Sequence, residues 1–207
     1  MKTSQKPQQK TWSRKIPRKT TAQYLENSAL YHMERFSSSA ANLRRIMMAR
    51  VERSARSYDT DREEGAAQVE DIIARFLSSG LLDDEVYATV KARSLHRRGA
   101  SSWAIHAKLA AKGVDKSAIQ KALVALEGED PNPEFTAAIT FARQRRIGPF
   151  RRGPRSGTAA EDYKPEDQKV REKELASMGR AGFCFDMARR IVDAESEKLL
   201  SSDEQFI

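Results

Sequence analysis

The stretch Ser78-Ser79-Gly80-Leu81-Leu82-Asp83-Asp84-Glu85-Val86-Tyr87-Ala88 sets three consecutive acids between two apolar runs. Adjacent carboxylates can ligate a metal, run acid–base chemistry, or mark the start of a helix. The surrounding residues favour the last. Val69, Ile72, Ile73, Phe76 and Leu77 recur at three- and four-residue spacing before it, the mark of one buried helix face. Gly80 is placed to end that helix. Asp83 or Asp84 can then accept hydrogen bonds from the free amides of the next helix, and the other acids favour the positive end of its dipole. Replacing the capping Asp by Ala is expected to cost about 1 kcal/mol.

The same punctuation recurs on both sides. Downstream, Val86, Tyr87, Val90 and Leu95 are expected to form one face, closed by Arg97-Arg98-Gly99. Ser101 or Ser102 caps a helix carrying Trp103, Ile105, His106, Leu109 and Ala110. Gly113 suits its left-handed end, with Val114 packing back. Asp115 opens a third helix with Ile119, Ala122, Leu123 and Leu126. Upstream, Ala22, Leu25, Ala29, His32, Met33 and Phe36 form a face, and Ser37-Ser38-Ser39 opens a helix with Leu43, Ile46 and Met47. A last block runs from Phe135 through Ala138, Ile139 and Phe141. It resumes through Leu175, Met178, Phe183, Phe185, Met187, Ile191 and Val192. No period-two run of β-branched residues occurs, so the fold is all-α, short helices in groups of about three.

These groups give expected boundaries. Residues 1–20 are a disordered basic arm, rich in Lys, Gln, Thr and Ser. Residues 21–80 form a first three-helix repeat with a polar insertion near 54–68, and 81–128 a second. Residues 134–193 form a third, with an Arg/Gly/Pro-rich insertion near 148–174, and 194–207 an acidic tail.

A hydrophobic content of 39% beside 32% charged residues suits a water-facing surface, and no apolar run approaches the roughly 20 residues of a membrane span. The basic N-terminus has no apolar core of a secretory signal. Cys184 is the only cysteine and cannot form an internal disulfide, so a reducing cytoplasm is expected. The net charge of +8 resembles a nucleic-acid signature until it is divided. Residues 1–20 hold seven basic residues and no acid, leaving 30 basic against 29 acidic groups in the other 187. Electrostatic arguments must therefore rest on local clusters. One lies between Ile139 and Gly157, with six arginines and no acid.

Gly80-Leu81-Leu82-Asp83-Asp84, with Tyr87-Ala88, resembles the signature of the RecX regulatory proteins. So do Arg97-Arg98-Gly99 with Ser102 to Ile105, and Leu109-Ala110-Ala111-Lys112-Gly113-Val114 with Ile119 to Leu123. Upstream, Ala29-Leu30-Tyr31, Glu34-Arg35-Phe36-Ser37 and Leu43 are similar to that family's first repeat. Gly179-Arg180-Ala181-Gly182-Phe183, with Phe185 and Ala188, is similar to the close of its third. The resemblance covers roughly 22–193. It implies three tandem three-helix repeats in a curved array, acting without catalysis on the RecA recombinase. The family binds RecA and RecA–DNA filaments and restrains strand exchange, ATP hydrolysis and coprotease function, in recombination and the SOS response.

Chemistry-bearing residues are few. None of the three histidines (32, 96, 106) has a metal-pair spacing with the acids at 83–85, and no P-loop, dinucleotide fingerprint or nucleophile elbow occurs. No catalytic residue, metal or cofactor is expected. The binding candidates are Arg93, Arg97, Arg98, Arg143, Arg145, Arg146, Arg151 and Arg152, whose guanidinium forks suit phosphate or carboxylate. They are expected to contact RecA, its nucleoprotein filament, or DNA directly, from a monomer. Trp103, Tyr87 and Phe76 are expected in the core. The alternative is a helix-turn-helix DNA-binding protein using Ser101–Leu126, with Lys116, Gln120 and Lys121 facing the bases.

Overall fold

The computed structural model describes residues 18–151 and 168–202. Arm residues 1–17, Arg152 with the rest of the 152–167 stretch, and residues 203–207 of the acidic tail lie outside the described residues. The described residues form ten α-helices: α1 (Ala22–Arg35), α2 (Ala40–Tyr58), α3 (Arg62–Ser78), α4 (Asp84–His96), α5 (Ser102–Ala110), α6 (Lys116–Glu129), α7 (Pro133–Arg145), α8 (Gln168–Arg180), α9 (Phe185–Val192) and α10 (Glu197–Ser202). A 3-10 turn, Gly148–Phe150, follows α7.

Three separate cores account for three successive helix groups. Leu25, Leu43, Met47, Val51, Ile72 and Phe76 centre the first, built by α1–α3 and closed by Leu82. Tyr87, Ala92, Ile105, Leu109, Ile119 and Leu126 make the second, within α4–α6. Phe135, Ala138, Met178, Phe183, Ile191 and Leu200 make the third, from α7 to α10. Each group buries its own apolar stripe, as stacked helical repeats do.

The helix starts follow the capping residues. Ser39, Asp61, Asp83, Ser101 and Asp115 each accept from amides two or three residues ahead. Four helices end in one motif, with a left-handed residue followed by an apolar one that bonds back to the last turn. The left-handed residue is Gly99 after α4, Gly113 after α5 and Gly182 after α8, but Arg146 after α7. α2 also ends on a left-handed non-glycine, Asp59, with φ 53°.

Several expectations change. The stretch 54–68, expected as a polar insertion, is helical on either side of a three-residue break at Asp59-Thr60-Asp61. Its polarity hides two contacts. The buried Ser54 hydroxyl accepts from the Thr20 amide (2.9 Å) and bonds Thr60 Oγ1 (3.0 Å). Gly65 lets α3 approach Val51 so closely that a β-carbon there would sit 2.5 Å from its methyl. On α4 the inner face is Tyr87, Ala88, Ala92 and Leu95, while Val86 and Val90 face outward. α4 lies close along α6, and small residues make that approach possible. Tyr87 and Phe76 are buried, but Trp103 is 63% exposed, because it lies on the next repeat's Gly182 and not in its own core. Phe36 and Leu77 are exposed too. Residues 197–202, expected as tail, form α10, whose Leu200 enters the third core.

Candidate partner-binding surface

The three acids of the opening motif turn to three different partners. Asp83 Oδ1 accepts from the amides of Glu85 and Val86, each at 2.9 Å, and so caps its own helix. Glu85 Oε1 pairs with Lys121 Nζ on α6 at 2.5 Å, and this bond raises the Lys121 pKa. Asp84 Oδ1 accepts from the amide of Ala40, on the first repeat, at 2.8 Å. The carboxylates therefore do not converge, and no group of three or more metal-holding residues exists among the described residues. Of the two signature leucines, Leu82 is buried. Leu81 is exposed and, with Leu30, Tyr31 and Met33, lines an open groove of about 500 Å³.

The candidate arginines separate into committed and uncommitted groups. Arg151 is the most firmly committed. Its Nε bonds Glu174 Oε1 at 2.6 Å and its terminal nitrogen meets Glu174 Oε2, with the side chains only 18% and 12% exposed. Glu174 Oε2 also accepts from the Gly148 amide. Arg151 thus ties α8 to the turn after α7 and is not presented to a phosphate. Arg93 Nε pairs with Glu129 at 2.6 Å, on the surface between α4 and α6. Arg143 pairs with Glu197 on α10 at 2.5 Å and lies over the Phe150 ring.

Arg97, Arg98, Arg145 and Arg146 remain exposed, and none forms an ion pair among the described residues. Arg98 folds back on Ser94 of the preceding helix, and Arg145 lies over the Phe141 ring at 5.8 Å. Two contacts join the end of α4, which Arg97 and Arg98 follow, to α7. His96 Nε2 lies 2.7 Å from the Pro133 carbonyl, fastening the end of α4 to the start of α7. Gly99, at φ +75°, abuts the α7 backbone, where a β-carbon would sit 2.6 Å from the Phe141 nitrogen. The Arg97–Gly99 turn thus lies against α7 at Ala137 and Phe141, and Phe141 precedes Arg145 by one helical turn, about 6 Å of rise. Arg145 and Arg146 in turn sit at the negative end of the α7 dipole, which offsets the crowding of like charge.

The helix-turn-helix alternative places α6 as the reading helix. Ala118, Ile119, Ala122 and Leu126 are buried on it, and Lys121 is held by Glu85. What the sequence does not disclose is a set of serines and acids at the repeat boundaries, Ser39, Ser101, Asp84 and Glu134, which bond across them. Their one signal is the recurrence of a serine cap at the same place in two repeats. No helix among the described residues is long and apolar enough to cross a membrane.

Residues 83–123 match the family profile described as RecX, second three-helix domain. A protein named regulatory protein RecX from Myxococcus xanthus (strain DK1622) is 37% identical over 180 residues, covering 87% of this chain and 90% of the relative. One of the same name from Agrobacterium fabrum (strain C58) is 32% identical over 185 residues, 86% and 88% of the two chains. A third, from Thermobifida fusca (strain YX), is 29% identical over 130 residues, 62% of each. No solved structure matches. With identity sustained over nearly the whole of two relatives, and its second helix group matching the family's own, the chain belongs to the RecX family of regulatory proteins.

Proposed function

We propose that this protein binds the RecA recombinase and its nucleoprotein filament and restrains recombination, ATP hydrolysis and coprotease activity, in the cytoplasm and without catalysis of its own. The observation that carries this reading is the set of four exposed arginines, Arg97, Arg98, Arg145 and Arg146, around the contact between the second and third repeats of a RecX-family chain. Guanidinium groups free of internal carboxylates suit a bidentate grip on acidic side chains or on DNA phosphates. Arg93 on α4 and Arg143 on α7 lie within a turn of them, each in a weak, exposed pair that a partner's acid can displace. Seated along the filament, the repeat array hinders subunit addition and the motions coupled to ATP turnover.

The test is RecA's DNA-dependent ATPase and strand exchange, measured with the wild type and with Arg97, Arg98, Arg145 and Arg146 all changed to Ala. The expected result is inhibition by the wild type and at least about tenfold weaker inhibition by the variant, a loss of about 1.4 kcal/mol, at unchanged helical content. A wild-type protein that left both reactions untouched at several-fold molar excess would overturn the proposal.

A further inference from the structure

The boundary between the first and second repeats and that between the second and third are built from the same parts. At the first, Ser39 caps α2 and donates its hydroxyl to the Lys112 carbonyl (2.5 Å). The next amide, Ala40, donates to Asp84 in the first turn of α4, and Ala41 fills the place a β-carbon on Gly113 would take. At the second, Ser101 caps α5 and donates to the Ala181 carbonyl (2.6 Å). The next amide, Ser102, donates to Glu134 Oε2 in the first turn of α7 (2.9 Å), and its hydroxyl reaches the same oxygen. Trp103 and the Ser101 hydroxyl occupy the place of a β-carbon on Gly182. In each joint three consecutive residues meet an acid, a carbonyl and a bare glycine of the following repeat.

The serines are used twice. Ser39 Oγ accepts from the Asn42 amide and Ser101 Oγ from the Ala104 amide, so each acts as a helix cap while donating its only proton across the boundary. A carboxylate could cap either helix equally well but has no proton to donate. The choice of serine at 39 and 101 is therefore explained by the joint and not by the helix.

We propose that Ser39 with Asp84, and Ser101 with Glu134, are positioning residues that set the angle between successive repeats. The second pair thereby holds Arg97 and Arg98, after α4, and Arg145 and Arg146, at the end of α7, on one surface. The second half of this statement rests on the proposed function. The first does not.

The two halves are tested separately. Spin labels at exposed Gln120 and Lys173 span the second joint, and labels at exposed Arg53 and Gln120 span the first, with Cys184→Ser to remove the native thiol. Ser101→Asp is expected to broaden the 120–173 distance distribution and leave 53–120 unchanged, and Ser39→Asp to do the reverse. Glu134→Ala, which leaves the α5 cap in place, is expected to act as Ser101→Asp does, while Glu134→Gln, still an acceptor, restores the narrow distribution. Ser101→Asp, which loses one hydrogen bond across the joint, is further expected to weaken RecA inhibition about fivefold, and Glu134→Ala, which loses two, at least as much. Unchanged distances in both Ser101→Asp and Glu134→Ala overturn the positioning role. Changed distances with undiminished inhibition overturn its link to the arginine surface. A wild type that fails to inhibit RecA overturns the proposed function and leaves the distance result standing.

Discussion

Replacing Arg151 by alanine separates a structural arginine from a binding one. The guanidinium and the Glu174 carboxylate are mostly removed from water, and Glu174 also holds the Gly148 amide. Breaking such a pair from one side leaves a partly buried charge without compensation and costs about 3–5 kcal/mol, far above the 0–1 kcal/mol of an exposed pair. For a chain of this size each kcal/mol lowers the melting temperature by about 2–4 °C, so a loss near 3 kcal/mol lowers it by about 6–12 °C. Glu174→Ala is expected to cost at least as much, since it also strands the Gly148 amide. The assay is thermal and urea unfolding of both single variants and the Arg151→Met/Glu174→Leu double variant, with hydrogen exchange followed on α7 and α8. The double variant should cost less than the two single changes together, because neither charge is left alone. An Arg151→Ala protein within about 0.5 kcal/mol of wild type, but with weakened DNA or RecA binding, would refute the assignment.

Three further outcomes follow from single positions. Arg146 holds a left-handed conformation that glycine takes at the three equivalent helix ends, so Arg146→Gly should raise stability by about 0.5–1 kcal/mol in urea unfolding, the left-handed strain relieved less the extra chain entropy of glycine. Gly99→Ala should lower it by about 2–4 kcal/mol, since left-handed strain adds to a clash with the α7 backbone that cannot turn aside. His32 has its pKa lowered, first by burial and then by Arg50, and its Nε2 has no hydrogen-bond partner among the described residues. The unfolded chain binds the proton more readily, so stability is full above about pH 6.5 and falls as pH drops through the folded value. Urea midpoints at pH 7.5 and 5.5 should differ in the wild type and converge in His32→Leu. The carboxylates held low by arginines, Glu70 by Arg44 and Asp193 by Arg171, act in a separate window. Their stabilisation is present above about pH 4 and is lost as pH falls through their depressed values.

Much of the helical order is legible in the residues, because caps and closers are local. Ser39, Asp83, Ser101 and Asp115 begin helices and Gly99 and Gly113 end them, through hydrogen bonds reaching only a few residues along the chain. What lies against each helix is not local. A three- to four-residue period marks an apolar stripe without saying whether valine or alanine faces inward, so Val86 and Val90 look like core until α6 is seen lying close on Ala88 and Ala92. Arg151 looks like part of an unopposed arginine run because its partner, Glu174, is 23 residues away across the intervening segment. Asp84 looks like a second cap for its own helix, and caps another.

At the outer side of the first repeat the corresponding positions hold different residues. A further unit docking there in the same manner would need a bare α-carbon at the end of α2 and an acid in the first turn of α1. The chain has Asp59 at the one place, left-handed yet carrying a side chain, and Ala22 and Gln23 at the other. Among the described residues the joint chemistry therefore has a direction: the second and third groups carry the acid and the bare glycine that receive a preceding group, and the first does not.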